Sequence, residues 1–236
     1  MNKTATPRCA ACESKACAQG KDCFETAEDH LKLYGETRVA DLHRAASAIE
    51  ARHYCKEPRL GEVILFAKEL GCRKVGLAFC VGLSEEAKVI ERILSEHFEV
   101  ASVCCKVSAI EKSRFGLEQI EQGGPEVMCN PAGQAALLNQ AGTELNVVCG
   151  LCAGHDAVFG MLSSAPVTTL VVKDRVLAHN PLGAVYCRYV RRRLERHGDT
   201  STHKKVAGAL SATETARAAA VPGSDSTTGN DSRHHV

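Results

Sequence analysis

KVGLAFC (residues 74–80), GLSEEAKVIERIL (82–94) and EVASVCC (99–105) together decide the fold of this chain. The first run is short and almost continuously apolar, the pattern of a strand buried on both faces. Ser84 predicts a helix N-cap, and Glu85 and Glu86 fall in the first turn, where the helix dipole favours acids. Ile90, Ile93, Leu94 and His97 recur on one face of that helix. The third run predicts a second strand. Strand, helix and strand in so short a span make the two strands parallel, joined by a right-handed crossover.

The alternation repeats downstream. Asn130 predicts a cap and Pro131 the first turn of a helix reaching about residue 138. LNVVC (145–149) predicts a third strand, residues 153–162 a helix, and VTTLVV (167–172), rich in β-branched residues, a fourth strand. Asp174-Arg175 predicts a turn, and residues 181–194 a closing helix. Upstream, Val39, Leu42, Ala46, Ile49 and His53 share one face of a helix over residues 37–54. Pro58 closes that element, and residues 60–70 predict a second helix stopped by Gly71. The fold class expected for residues 36–196 is therefore α/β, an open and mostly parallel sheet flanked by helices. Residues 1–35 form a cysteine-rich segment with little to bury, and residues 197–236, mostly Ser, Thr, Ala, Gly and charge with no aromatics, predict a disordered tail.

Thirteen cysteines set the chemistry. The opening MNKTATPRCAAC contains no apolar signal region, and no stretch approaches the length of a membrane span. The sequence thus predicts a cytoplasmic chain whose cysteines are metal ligands or redox thiols rather than disulfides. A formal net charge of +1 gives no electrostatic reason to expect nucleic acid. Arg191, Arg192 and Arg193 read as favourable charge at a helix C-terminus. Tryptophan is absent and other aromatics are scarce, which does not suit stacked recognition of bases.

Two sets of candidate ligands stand out. Cys9, Cys12, Cys17 and Cys23 are close enough in sequence to wrap one metal centre, and their segment cannot fold without a crosslink or a metal. The second set follows from the rule that ligands of open α/β sheets bind outside the carboxyl ends of the strands. Cys80, Cys105, Cys129, Cys149 and Cys152, with His155, all fall at such positions. Cys105 is preferred to Cys104 because it is nearer the strand end, and alternation separates the two if both lie in the strand. Against ligation, free cysteine also packs as a small hydrophobe, the assignment given to Cys55, Cys72 and Cys187. His155 fits a helix-start hydrogen-bonding role as well as ligation. Cys149-Gly-Leu-Cys152 also fits a thiol–disulfide site at a helix N-terminus. No GxGxxG follows the first strand, and neither a P-loop nor a G-x-S-x-G elbow occurs.

An N-terminal cysteine cluster combined with Cys129-Asn-Pro131, Cys149-Gly-Leu-Cys-Ala-Gly-His-Asp156, Ala165-Pro-Val-Thr-Thr-Leu170, Lys173-Asp-Arg175 and His179-Asn-Pro181 resembles a prokaryotic family. It is the cysteine-rich, predicted metal-binding domain of unknown function 1847, and the resemblance covers about residues 8–190. It implies metal binding and carries no established reaction. The function expected is that of an iron–sulfur protein, with [4Fe–4S] as the leading cofactor and zinc as the alternative. One centre would lie in the N-terminal segment and one at the sheet edge. Its work would be electron transfer with a redox partner, or cluster-assisted chemistry on a small-molecule substrate. A zinc-bound regulatory or interaction module and a CxxC oxidoreductase are the rival classes. Neither nucleic acid nor membrane is expected as a partner.

Overall fold

Four strands, β1 (Lys74–Phe79), β2 (Glu99–Cys104), β3 (Leu145–Cys149) and β4 (Val167–Val171), form one sheet in the order β2-β1-β3-β4. Every pairing is parallel. The computed structural model describes residues 6–196. The chain divides into two units, Met1–Asn180 and Pro181–Val236. In the first, α1 (Ala27–Leu33), α2 (Thr37–His53) and α3 (Arg59–Glu69) precede the sheet, while α4 (Ser84–Ser95), α5 (Pro131–Gln140) and α6 (His155–Leu162) lie between its strands. In the second, α7 (Leu182–Tyr186) and α8 (Arg188–Arg196) are the described helices. The predicted tail, residues 197–236, lies outside the described residues. No helix among the described residues is long and apolar enough to cross a membrane.

Period-two alternation sorts the core onto two faces. Val75, Leu77, Leu145, Val147 and Cys149 point to one face, against Val63 and Ala67 of α3 and Ala87, Ile90 and Leu94 of α4. Ala78 and Val148 point to the other, against Ala135 and Leu138 of α5 and Phe159 of α6. Burying side chains such as Leu77, Leu94 and Leu138 stabilises the fold by about 1.5–3 kcal/mol each. A buried polar group fixes the amino end of β3. Asn146 accepts from the Thr143 hydroxyl at 2.8 Å and donates to the Ser163 hydroxyl at 2.8 Å. Its side chain occupies the space beside Gly76 that any Cβ there would need.

Three local expectations change. Ser84 is the first residue of α4 rather than its cap, and its hydroxyl donates to the Val81 carbonyl at 2.7 Å. The chain already turns through a 3-10 segment, Val81–Leu83, so the hydroxyl meets a carbonyl before it can meet an N–H. The buried side of α2 is Ala40, Ala45 and Ile49, with Val39 and Ala46 exposed. Small residues let α2 approach its neighbours on that side. His97 is exposed just beyond α4, and Phe98 takes the buried place instead.

Candidate functional site

Register brings the cysteines to one rim. Phe79 pairs with Cys104 of β2 and with Cys149 of β3, so Cys80, Cys105 and Gly150 leave the sheet side by side. Backbone bonds hold that alignment past the strand ends. The Cys105 N–H donates to Phe79 O at 2.8 Å, and the Cys80 N–H to Cys149 O at 3.1 Å. The Asn130 N–H donates to Cys105 O at 2.8 Å, which seats Cys129 beside Cys105. Asn130 also caps α5, accepting from the Gly133 N–H at 2.8 Å.

Cys80, Cys105 and Cys129 therefore meet on the α5/α6 face, although they come from three separate segments. Cys105 interacts through its side chain with both of the other two. Its sulfur also accepts from the Val81 N–H at 3.3 Å. Burial, helped by the two neighbouring thiols, pushes the Cys105 thiol up to about 12. Burial alone would raise Cys80 too. The Gly82 N–H and the Lys173 ammonium outweigh it and hold that thiol below its ordinary value. Cys104 ends β2, so strand alternation does not carry on to Cys105, and both cysteines touch the same cluster.

The remaining predicted residues separate. Cys149 is fully buried on the opposite face among the α3/α4 core residues. Burial, with Glu86 adding to it, pushes its thiol up to about 11. Alternation within LNVVC dictates this placement, so Cys149 does not join the group. Cys152 is half-buried, and Arg175 Nη2 donates to its sulfur at 2.9 Å. His155 starts α6, and burial lowers its imidazole below the ordinary value. Its Nδ1 is sheltered from solvent without a partner. Asp156 Oδ1 accepts from the Gly154 and Ala157 N–H groups at 2.9 Å each, and the Asp156 charge opposes the lowering of the imidazole. Cys9, Cys12, Cys17 and Cys23 are all exposed on a stretch with two 3-10 turns, Cys9–Ala11 and Ala16–Gln19. Among the described residues, no three His, Cys, Asp or Glu side chains stand together closely enough to hold a metal ion as they are. Cys55 and Cys187 are exposed, and Cys72 is half-buried with its thiol raised by burial.

The donor chemistry nonetheless fits a soft metal. Three neighbouring thiols, one kept protonated by burial and by its neighbours, gain most from a cation that takes them as thiolates. Cys152 stands within the field of the same group, since Arg175, which binds it, also interacts with Cys80 and Cys129.

Sequence reasoning missed the cations of this rim. Lys173 leaves β4 two residues past its end and reaches Cys80 across two glycines. A Cβ at Gly82 would stand 3.2 Å from Lys173 Nζ, and one at Gly150 would stand 3.7 Å from Lys173 Cδ. Gly150, at φ +70, also leaves the only room for the Leu83 side chain that packs over it. Lys106 follows Cys105 and donates to Val127 O at 2.6 Å. The available signal was positional, since each of these residues lies within a few positions of a strand's carboxyl end. Gln134 was missed as well. Fully buried in α5, it donates to Phe79 O at 3.2 Å and to Val103 O at 2.7 Å, tying the ends of β1 and β2 together.

The model of a protein family described as "Protein of unknown function (DUF1847)" matches residues 18–170. An uncharacterised protein of Methanocaldococcus jannaschii, MJ0455, is 46% identical over 188 residues, which is 79% of this chain and 97% of that protein. No solved structure matches this chain. The match takes in β1 to β3, all but the last residue of β4 and every thiol of the rim, and by it this chain belongs to the DUF1847 family.

Proposed function

We propose that this chain is a metal–thiolate protein whose working centre lies at the carboxyl rim of the sheet. Cys80, Cys105 and Cys129 would hold the metal, with Cys152, the thiol bound by Arg175, as the proposed fourth ligand. The observation that carries the proposal is that three cysteines from three separate segments share one packed cluster, with Cys105 beside both of the others. Independent packing cysteines have no reason to meet there. An iron–sulfur cluster is the leading occupant, because cysteine thiolates are its usual ligands and the chain is rich in cysteine. Three protein ligands would leave one iron open as a Lewis acid for a small molecule, as an open position does in catalytic zinc sites. When bound, the metal would supply electron transfer or polarisation of a substrate oxygen. The chain's own residues hold the thiols in register and surround them with positive charge. The full burial of Cys149 in the α3/α4 core, with its thiol pushed up to about 11, speaks against a CxxC oxidoreductase, which needs an accessible, easily ionised thiol. Cys9, Cys12, Cys17 and Cys23 would form a second, self-contained centre.

Anaerobic purification followed by iron, zinc and sulfide analysis tests the assignment. Wild-type protein is expected to be brown, with broad visible absorption. Cys80→Ser, Cys105→Ser and Cys129→Ser should each lose one centre, while Cys149→Ser and Cys55→Ser keep both. A colourless protein with stoichiometric zinc would replace iron by zinc. Full metal content in all three rim variants, or no metal in the wild type, would sink the proposal.

A further inference from the structure

Three cations surround the thiol rim, and none has a carboxylate partner among the described residues. The ion pairs there are Lys32–Asp29, Arg44–Asp41, Arg52–Glu69, Lys74–Glu99, Lys112–Glu126 and Arg191–Glu195. Lys106, Lys173 and Arg175 are not among them. Lys106 bonds one carbonyl and Arg175 one sulfur, so each keeps donors to spare. Lys173 lies over Gly82 and Gly150 with its ammonium towards Cys80. Both Lys106 and Arg175 act on His155, so the charges share one neighbourhood.

The loop that carries two of them is held rigidly. Asp174 Oδ1 accepts from the Val176 N–H at 2.9 Å and the Leu177 N–H at 2.8 Å. The Asp174 N–H donates to His179 Nδ1 at 3.1 Å, and the His179 N–H returns to Asp174 O at 2.9 Å. This closure keeps Ala178 and His179 in left-handed conformations, φ +49 and +63, which non-glycine residues rarely adopt. Strain of that kind persists only where the surroundings over-determine it, and it gathers at ligand clamps. The amino ends of α4, α5 and α6 open at the same rim, because each helix begins beyond the carboxyl end of a parallel strand, and they add positive potential. Unpaired cations on a pinned loop beside such helix ends form a receptor for negative charge.

We propose that this rim binds a small molecule through an oxyanion, a carboxylate or a phosphate group, held by Lys173 and Arg175 with Lys106 nearby. The proposal rests on the reading of the rim as the functional site and adds the class of molecule received there. An anion held by these side chains would stand against the thiol group, within reach of any metal on it.

Calorimetric titration of the anaerobically purified protein, at constant ionic strength set with chloride, tests this with sodium acetate and inorganic phosphate as the two probes. At least one probe is expected to bind with Kd on the order of 10 mM or below. Which of them binds more tightly decides between carboxylate and phosphate. Lys173→Gln and Arg175→Gln should each weaken that binding about tenfold, the loss expected for one charge-assisted hydrogen bond. Arg44→Gln, on the far surface of α2, should not. Metal content should stay at the wild-type level in all three variants. Absence of binding by both probes, or equal affinity in the lysine and arginine variants, overturns the proposal. A loss of metal in those variants with no anion binding overturns it too, since the cations would then serve the metal alone. Anion binding that depends on Lys173 and Arg175 in a protein without metal would support this proposal while sinking the metal assignment.

Discussion

At the residue scale, Gly150 and Cys105 show two ways in which one atom governs the rim. Gly150 lies at φ +70, and a Cβ there would collide with the Leu83 side chain. Gly150→Ala should combine a left-handed penalty with overpacking, together about 2–5 kcal/mol. For a domain of this size, that lowers Tm by roughly 5–15 °C. Gly142→Ala isolates the first effect, since Gly142 sits at φ +68 in open space. Thermal unfolding of both variants checks the difference, and equal losses would mean that the Leu83 contact is unimportant. Cys105 was legible in the sequence because it stands just past a strand end. The carboxyl-edge rule placed Cys149 at the right end of the sheet but could not give its face, which depends on alternation counted from the core. Arg175 was read as part of a turn and Lys173-Asp-Arg175 as a family motif, neither cation as part of the site, because long flexible side chains leave no periodic signature. Their reach across Gly82 and Gly150 is visible only in three dimensions.

At the scale of elements, the alternation of strands and helices around the sheet was legible, with boundaries moved by one or two residues. By contrast, α1 was not foreseen, and the helix expected over residues 181–194 breaks at Cys187 into α7 and α8. Buried parallel strands must be apolar on both faces, so their runs cannot be mistaken for loops. The order β2-β1-β3-β4 was not legible, because no local signal says beside which strand a crossover returns. One pairing element lies at the amino end of the sheet. Glu144 accepts from the Arg73 and Lys74 N–H groups at 2.6 and 2.9 Å, closing the corner between β1 and β3. These bonds, with that from Lys74 the stronger influence, hold its carboxyl below the ordinary carboxylate value. A depressed carboxylate stabilises the fold above its unfolded pKa of about 4.3 and loses that contribution as pH falls through the lower folded value. Glu144→Ala should therefore be less stable than the wild type at pH 7, with the gap closing as the pH drops below about 4. Urea midpoints across that range check it, and a gap independent of pH would show that the corner is held by other contacts. Near the same end of this strand pair, Gly76→Ala should cost about 1–3 kcal/mol by displacing the hydrogen-bonded Asn146.

At the scale of the whole molecule, the unevenly defended part is the N-terminal stretch. Residues 8–35 are exposed almost throughout, and their four cysteines project to solvent. A metal drawing those thiols together would replace the missing core. Limited proteolysis of protein as isolated should spare this stretch, and the same digestion after chelation should cut it first, leaving a fragment that begins near α2. Equal cutting rates before and after complete metal removal would show that no metal orders it.

The graded burial of the thiols has a further use. The chain contains no tryptophan, so it lacks the usual optical reporter of unfolding. It carries instead a ladder of alkylation clocks. In metal-stripped protein Cys9, Cys12, Cys17, Cys23, Cys55 and Cys187 are open to reagent, whereas Cys80, Cys105 and Cys149 are shut away. Brief pulses of iodoacetamide read by peptide mass spectrometry would time each region separately. Cys149, under the α3/α4 layer, should keep pace only with global unfolding, while Cys80 and Cys105 would register any earlier breathing of the opposite layer.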